Sequence, residues 1–357
     1  MKTRVHRLTS NAPDDMTSVQ AAIREGKINP EHVIAVLGKT EGNGCVNDFT
    51  RAFATATLTR LFASLLDQSE ARIAERIAFV MSGGTEGGLT PHWLVFEVDP
   101  SADDPASTGL AAGISFTPEF RPEDIGRQAQ VQQTAQAVRE AMTRAGITDP
   151  ADVHFVQIKC PLLTAARSEE AATRNKSVVT SDTYESMAYS RGASALGVAV
   201  ALGEISAETL PDAVICEDYG LYSGRASTSA GIELMRNEIL VLGNAPGWSA
   251  DLRIGHDVMA DALDADALDR AMAAVPGDAH NELIALLVKA EPSHNGLIRG
   301  NRHTMWDDSD INATRHARAL VGGVLAGRTG DTRLFVSGGA EHQGPDGGGP
   351  LAVIVSR

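Results

Sequence analysis

A serine followed by small residues and, four positions on, by a carboxylate recurs three times in this chain: Ser82-Gly83-Gly84-Thr85-Glu86, Ser229-Ala230-Gly231-Ile232-Glu233 and Ser337-Gly338-Gly339-Ala340-Glu341. Upstream of each stands a short apolar run that delivers a lysine, Lys39, Lys159 or Lys289, and between lysine and serine lies a segment with an arginine, Arg51, Arg191 or Arg315. A lysine acts as a base only when neutral, a form favoured by exclusion of water and by neighbouring cations, which lower its pKa from about 10.4. A neutral lysine beside a serine hydroxyl is a nucleophile pair. Small residues after the serine let the backbone turn tightly, and successive N–H groups at such a turn form a nest that stabilises an oxyanion. Arginine forks suit carbonyl oxygens or an anionic ring. The chemistry implied is acyl transfer, hydrolysis of an amide or imide, on a small, oxygen-rich and roughly threefold ligand.

Taken singly, none of these residues is diagnostic. Ser-Gly-Gly is usually a turn, a lysine at a strand end is usually solvated, and an arginine early in a helix is usually a surface residue. Recurrence in one order is what points to a site, although a duplicated scaffold that keeps the residues for packing at its axis stands as the alternative. The pattern ranks the three serines equally.

The elements that must position these residues repeat with them. Apolar runs ending at the lysines read as buried strands over 31–38, 152–158 and 283–288. Ala-rich helices are expected over 47–66, 186–203 and 309–326; strands 76–81 and 333–336 lead into Ser82 and Ser337, and strand 230–242 follows Ser229 and finishes the middle unit. Further helices are expected over 17–25, 122–145 and 259–274, with Gly146 ending the second of these, and a further strand over 110–116. The lysine-to-serine separations differ (82 − 39 = 43, 229 − 159 = 70, 337 − 289 = 48), as loop insertions between repeats produce. Pro/Gly/Ser-rich stretches at 99–109 and at Asn244-Ala245-Pro246-Gly247 divide the chain into units 1–104, 105–246 and 247–357. The expectation is an α/β protein of three similar repeats around a pseudo-threefold axis, with the three Lys, three Arg and three Ser meeting there.

Bulk composition excludes several classes. The 357 residues suffice for a large core, and a formal charge of −15 argues against a general binder of nucleic acid or anionic membrane. Cys45, Cys160 and Cys216 have no C-x-x-C spacing, so neither a disulfide framework nor a zinc knuckle is indicated. Gly38-Lys39-Thr40 looks like the end of a phosphate-binding loop, but that motif needs glycine where Val33 stands. His303 and His316, with Asp307, Asp308 and Asp310 between them, fit no compact helical metal motif. There is no apolar leader and no run of 18 apolar residues, so a soluble cytoplasmic protein is expected.

Longer motifs carry a family resemblance. Gly38-Lys39-Thr40-Glu41-Gly42-Asn43-Gly44-Cys45-Val46-Asn47-Asp48, Val80-Met81-Ser82-Gly83-Gly84-Thr85-Glu86-Gly87 and Thr183-Tyr184-Glu185-Ser186-Met187 resemble the cyanuric acid hydrolase/barbiturase family. So do Tyr189-Ser190-Arg191-Gly192-Ala193-Ser194-Ala195-Leu196-Gly197 and Ser337-Gly338-Gly339-Ala340-Glu341-His342-Gln343-Gly344-Pro345, and the resemblance spans essentially the whole chain. It implies a barrel-like fold of three repeats with one active site at the axis. It further implies Ser229 as nucleophile and Lys159 as its base. Ser82 and Ser337, with Lys39 and Lys289, would hold the other ring carbonyls, and Arg51, Arg191 and Arg315 would clamp the ring edges with the backbone of Gly83, Ala230 and Gly338. No organic cofactor is implied. A structural divalent cation, magnesium or calcium, would be held by Glu291 and the segment at Ala340, Gln343, Gly344, Pro345 and Gly348, where carbonyl-rich backbone suits a hard cation. The resemblance points to cyanuric acid as substrate, with barbituric acid as the alternative, and to a homotetramer. A non-catalytic binder of a small anion is the remote rival.

Overall fold

The structure is a computed structural model that describes residues 1–101, 107–206, 210–277 and 282–357. The division expected between 104 and 105 lies outside the described residues. Four strands, β1 (Lys2–Thr9), β2 (Val33–Thr40), β3 (Ala78–Gly83) and β4 (His92–Asp99), form a mixed sheet in the order β1-β4-β2-β3. The plan returns with β5 (Thr108–Phe116), β6 (Val153–Cys160), β7 (Ala226–Ala230) and β8 (Glu238–Pro246), ordered β5-β8-β6-β7. It returns again with β9 (Leu252–Met259), β10 (Glu282–Ala290), β13 (Phe335–Gly338) and β14 (Gly349–Ser356), ordered β9-β14-β10-β13, while β11 (Leu297–Ile298) and β12 (Asn301–Arg302) make a separate hairpin.

The repetition extends to register. In each sheet the strand that carries the lysine next to its last residue runs parallel to the strand that so carries the serine, pairing Lys39 with Ser82, Lys159 with Ser229 and Lys289 with Ser337. Each lysine strand also slips register against its antiparallel neighbour near its start, at Val33/Ala35, Val153/Phe155 and Leu283/Ala285. Such a bulge bends the strand and re-aims the side chains that follow.

Each sheet is buried on both faces. One face meets the other two sheets in a shared centre that includes Leu37, Phe96, Phe155, Leu242, Leu287 and Ile354. The opposite face is covered by that repeat's own helices: α1 (Thr17–Arg24), α2 (Phe49–Leu66) and α3 (Glu70–Ala74) in the first, and α4 (Gln128–Ala145) and α6 (Thr183–Ala201) in the second, where the short α5 (Ala165–Thr173) packs instead on the turn at Pro122–Asp124. In the third, α7 (Asp266–Ala273) and α8 (Ala313–Thr329) do so. The helices between lysine and serine, α2, α6 and α8, start on side-chain caps, with Asp48 accepting from the N–H of Thr50, Asp182 from Glu185 and Asn312 from Thr314. Among the described residues, no helix is long and apolar enough to cross a membrane.

Several expected elements differ. The strand expected over 230–242 is interrupted, since β7 ends at Ala230 and β8 starts only at Glu238, because the chain must leave the axis after Ser229 and return antiparallel to β6. Residues 259–274 hold only the short α7, preceded by β9. Helix α4 begins at Gln128 rather than 122, after a 3₁₀ turn at Pro122–Asp124 and Gly126 at φ +73. The strands β1, β4, β9 and β14 had no place in the sequence reading.

Candidate active site

The parallel register brings each lysine beside its serine, and the shared centre brings the three pairs together. All three lysine side chains are fully buried. Lys39 Nζ lies 3.2 Å from Ser82 Oγ and donates to Val336 O at 2.7 Å, while Lys289 Nζ lies 3.1 Å from Ser337 Oγ and donates to Thr228 O at 2.5 Å. Lys159 Nζ donates to Met81 O at 2.7 Å. Val336, Thr228 and Met81 are the residues immediately before the three serines. Each lysine therefore reaches across to the serine strand of another repeat, and the three contacts close a ring.

Burial pushes all three lysines below their usual pKa, Lys39 and Lys289 furthest, helped by the nearby guanidiniums of Arg318 and Arg191 respectively. Contacts at Lys39 and Lys289 match a neutral amine, which has two N–H bonds and one lone pair. Two carbonyls lie within reach of each (Val336 and Gly83 for Lys39, Thr228 and Gly338 for Lys289), leaving the lone pair for the serine hydroxyl.

A small cavity opens at this axis, lined by Gly44, Arg51, Ser82, Gly83, Met187, Arg191, Ser229, Ala230, Arg318 and Gly338. It encloses no more than ≈ 230 Å³ of open space, whereas sites for drug-sized ligands span roughly 300–1,000 Å³. Ser337 is buried beside Gly338. A larger cleft against the third repeat, lined by residues such as Asp261, Ser293, Arg299 and Asp346, contains none of the lysine–serine pairs.

The arginines correct one expectation. Arg51 and Arg191 line the cavity, but the third arginine there is Arg318, not Arg315. The Arg315 side chain is 38% exposed and that of Arg318 only 3%. Three residues along a helix stay on nearly the same face but advance about 4.5 Å, and that step carries Arg318 to the axis. Both meet Glu86: Arg318 clasps it through two bonds of 2.8 and 2.6 Å, and Arg315 Nε adds one of 3.1 Å. In the same way Arg191 clasps Glu341 at 2.7 and 2.6 Å. These forks explain the glycines two residues after Ser82 and Ser337. Gly84 and Gly339 have φ of +102° and +81°, and a Cβ there would stand 2.4 Å from Arg318 Nε and 2.3 Å from Arg191 Nε.

The middle repeat breaks the pattern. Arg51 donates to Ala230 O at 2.8 Å and Cys45 O at 2.6 Å, and its Nε has no hydrogen-bond partner. Glu233 instead lies 2.9 Å from Lys159 Nζ as an ion pair. Among the described residues, Ser229 Oγ accepts no bond from Lys159 or from any other group.

Of the residues expected at a cation, Glu291 is tied to the start of the turn that carries the others. Glu291 accepts from Gly339 N at 2.8 Å and Thr314 Oγ1 at 3.0 Å, and the irregular turn beyond it closes through Gln343 N to Ala340 O, Gly344 N to Ser223 O and Gly348 N to Pro345 O. Burial, together with the charge of Glu341, pushes the Glu291 carboxyl up to about 7. A buried carboxylate short of positive charge beside turn carbonyls fits a hard cation. Among the described residues no group of three His, Cys, Asp or Glu could hold a metal, so any ion here would depend on carbonyls.

Residues 4–356 match the family of amidohydrolase ring-opening proteins. The chain is 67% identical to a cyanuric acid amidohydrolase of Ectopseudomonas oleovorans, over 99% of both chains, and 55% identical to that of Azorhizobium caulinodans, over 99% of this chain and 98% of the relative. It is similar to the crystal structure of the A. caulinodans hydrolase, with a TM-score of 0.93 at 55% identity over 99% of each chain. A second solved cyanuric acid hydrolase, described as an evolutionary innovation by structural concatenation, superposes with a TM-score of 0.96 at 47% identity, over 100% of this chain and 99% of that one. With register, cavity and whole-length similarity in agreement, the chain belongs to the family of ring-opening amidohydrolases.

Proposed function

We infer that this chain is a cyanuric acid amidohydrolase, a hydrolase of cyclic amides that opens the triazinane-trione ring in s-triazine degradation. The observation that carries the reading is the threefold meeting of lysine–serine pairs at one axis, around a small cavity lined by Ser82, Ser229, Gly338 and three arginines, which suits a ring with three carbonyls and three N–H groups. Ser229 attacks one carbonyl while Lys159 takes its proton, and the proton then passes to the departing ring nitrogen. Water releases the acyl group as carboxybiuret, which loses CO₂ to give biuret. Ser82 and Ser337, fixed by Lys39 and Lys289, hold the other two carbonyls, and Arg51, Arg191 and Arg318 clamp the ring edges. Backbone at Gly83, Ala230 and Gly338 completes the cup. Two features support the unequal roles: among the described residues Ser229 has its hydroxyl free, and Lys159 is not committed to its serine.

A divalent cation held by Glu291 and the carbonyls of Ala340, Gln343, Gly344, Pro345 and Gly348 would neutralise the buried carboxylate and brace the turn, leaving the chemistry to the serine–lysine pair. Metal analysis of the purified protein, with a melting temperature that falls on chelation, tests it. The resemblance also supports a cytoplasmic homotetramer, which sedimentation of the purified protein examines.

The deciding experiment mixes purified protein with cyanuric acid or with barbituric acid and compares kcat/KM. A site that hydrogen-bonds a ring N–H leaves polar groups unpaired against CH₂, so cyanuric acid should be preferred by on the order of a hundredfold or more. Preference for barbituric acid reassigns the chain as a barbiturase. Saturable binding without turnover makes it a binding protein.

A further inference from the structure

The three carboxylates that follow the serines do not do the same work. Glu86 of the first repeat binds Arg318 of the third, and Glu341 of the third binds Arg191 of the second. Continuing that rotation, Glu233 of the second repeat would bind Arg51 of the first. It does not. Arg51 turns to two carbonyls and its Nε lies 3.7 Å from Asp48 of its own repeat, while Glu233 Oε1 stands 2.9 Å from Lys159 Nζ. Neither carboxylate oxygen accepts a well-aligned hydrogen bond, and the side chain is only 7% exposed, so this buried charge is balanced chiefly by the lysine. Space for it comes from Gly231, where a Cβ would stand 2.1 Å from Glu233 Oε2. At the corresponding glycines of the other repeats, the nearest side chain is an arginine.

We propose that Glu233 is the positioning carboxylate of a Ser229–Lys159–Glu233 triad, and that its capture of Lys159 is what sets the middle repeat apart for chemistry. The proposal rests on the hydrolytic reading given above. The O–H proton of Ser229 moves to the lone pair of neutral Lys159, the freed oxygen pair forms the C–O bond, and the carbonyl π pair moves onto its oxygen. The ammonium so formed faces Glu233 instead of an empty apolar wall. When the carbonyl re-forms and the ring C–N bond breaks, the nitrogen takes that proton and Lys159 is neutral again. Glu233 neither gains nor loses a proton, and it acts as the aspartate does behind histidine in serine hydrolases. Among the described residues Lys39 and Lys289 have no carboxylate in ion-pair contact and stand beside their own serines, which suits them to holding carbonyls.

The groups that face the pair are Arg51, which opposes a charge on Lys159 and favours one on Glu233 and is itself paired with Asp48, Cys160 beside Lys159 on β6, and Arg167 and Glu238 around Glu233. Burial lowers Lys159, and Glu233 is the largest influence raising it.

The test is the pH profile of kcat/KM for cyanuric acid in the wild type, Glu233→Gln and Gly231→Ala. Activity rises with pH as Lys159 loses its proton. Without the carboxylate the ammonium is less stable, so the rise should move to lower pH while kcat drops about ten- to a hundredfold, as for a weakened general base, and KM changes little. Gly231 has no left-handed φ, so alanine fits its backbone and acts by pushing the Glu233 side chain off Lys159. It should reproduce the shift. A rise at unchanged or higher pH in a folded variant, or a loss confined to KM, overturns the triad. Two variants that both fail to fold mark Glu233 as a structural support and overturn it as well. Absence of turnover in the wild type is a separate result, which defeats the hydrolytic reading.

Discussion

Lys289 Nζ donates to the carbonyl oxygen of Thr228 at 2.5 Å, so a lysine of the third repeat holds the backbone just before Ser229 of the second. With the equivalent contacts of Lys39 to Val336 and Lys159 to Met81, the axis is a closed circuit in which each lysine serves its own strand and another repeat's serine. A substitution at one lysine is therefore felt at a different serine.

Lys289→Met tests that circuit. It leaves the carbonyls of Thr228 and Gly338 without their donor, at about 1–3 kcal/mol for each buried acceptor left unsatisfied. The melting temperature should fall. Turnover should also fall by more than tenfold, because Ser229 loses the contact that fixes its strand. A variant with normal kcat would show that the circuit does not position Ser229.

Arg318 and Arg315 should separate cleanly. Arg318→Met removes a buried cation from the cavity and leaves Glu86 without its two-pronged partner, so KM should rise at least tenfold and stability should drop. Arg315→Met removes one bond from a side chain that is 38% exposed, and surface pairs contribute about 0–1 kcal/mol. Its kinetics should stay within about threefold of the wild type, and equal losses in the two variants would contradict the geometry.

The same pair shows where the sequence could be read and where it could not. The order of lysine, arginine and serine was legible because strands impose a fixed pairing, so Lys39 opposite Ser82 follows from two parallel apolar runs. The arginines sit at different depths in their helices, with Arg51 three residues past its cap Asp48, Arg318 six past Asn312 and Arg191 nine past Asp182. Counting from the helix start therefore selected Arg315. A usable signal lay in the periodicity of α8, where Arg318 shares a face with the buried Val321, Gly322 and Leu325. Glu233 was visible as a repeated carboxylate, but its choice of Lys159 over Arg51 is a tertiary outcome with no local pattern. The strands β1, β4, β9 and β14 went unread in the sequence. Among them, β1 carries four charged or imidazole side chains, Lys2, Arg4, His6 and Arg7, along its eight residues.

Acid should loosen the contact between the second and third repeats. His154 on β6 and His256 on β9 face each other with Nδ1 atoms 2.8 Å apart, an arrangement in which one neutral ring donates to the other. Burial pulls their pKa values down to about 3 and about 4, and Arg225 adds to this for both. Their folded values lie below an unfolded histidine's of about 6.5, so the unfolded chain binds more protons in that interval. The stabilisation is present above pH 6.5 and is lost as pH falls towards 4 and 3. Melting temperatures should decline over this range, and His154→Gln should flatten the decline. An unchanged slope would remove the pair from the acid response.

Removing the three serine hydroxyls one at a time should give unequal losses despite their shared geometry. Ser82 and Ser337 stand 3.2 and 3.1 Å from their lysines, and a hydroxyl turned from the lysine lone pair towards the cavity would donate to a ring carbonyl. Losing one such donor costs about 10²–10³ in kcat by the measure of an oxyanion-hole group. Ser82→Ala and Ser337→Ala should therefore turn over slowly but measurably. Ser229→Ala removes the nucleophile and should show no acyl-enzyme and no turnover above background. Lys159→Arg should be equally inactive, because a guanidinium keeps its proton at any working pH and cannot take one from Ser229. Rapid quenching of the wild type during turnover, followed by digestion and mass spectrometry, should find the ring-derived acyl group on the peptide containing Ser229. Finding it on the peptide of Ser82 or Ser337, or near-normal activity in Lys159→Arg, would move the reaction to another repeat while leaving the threefold cup as the binding site.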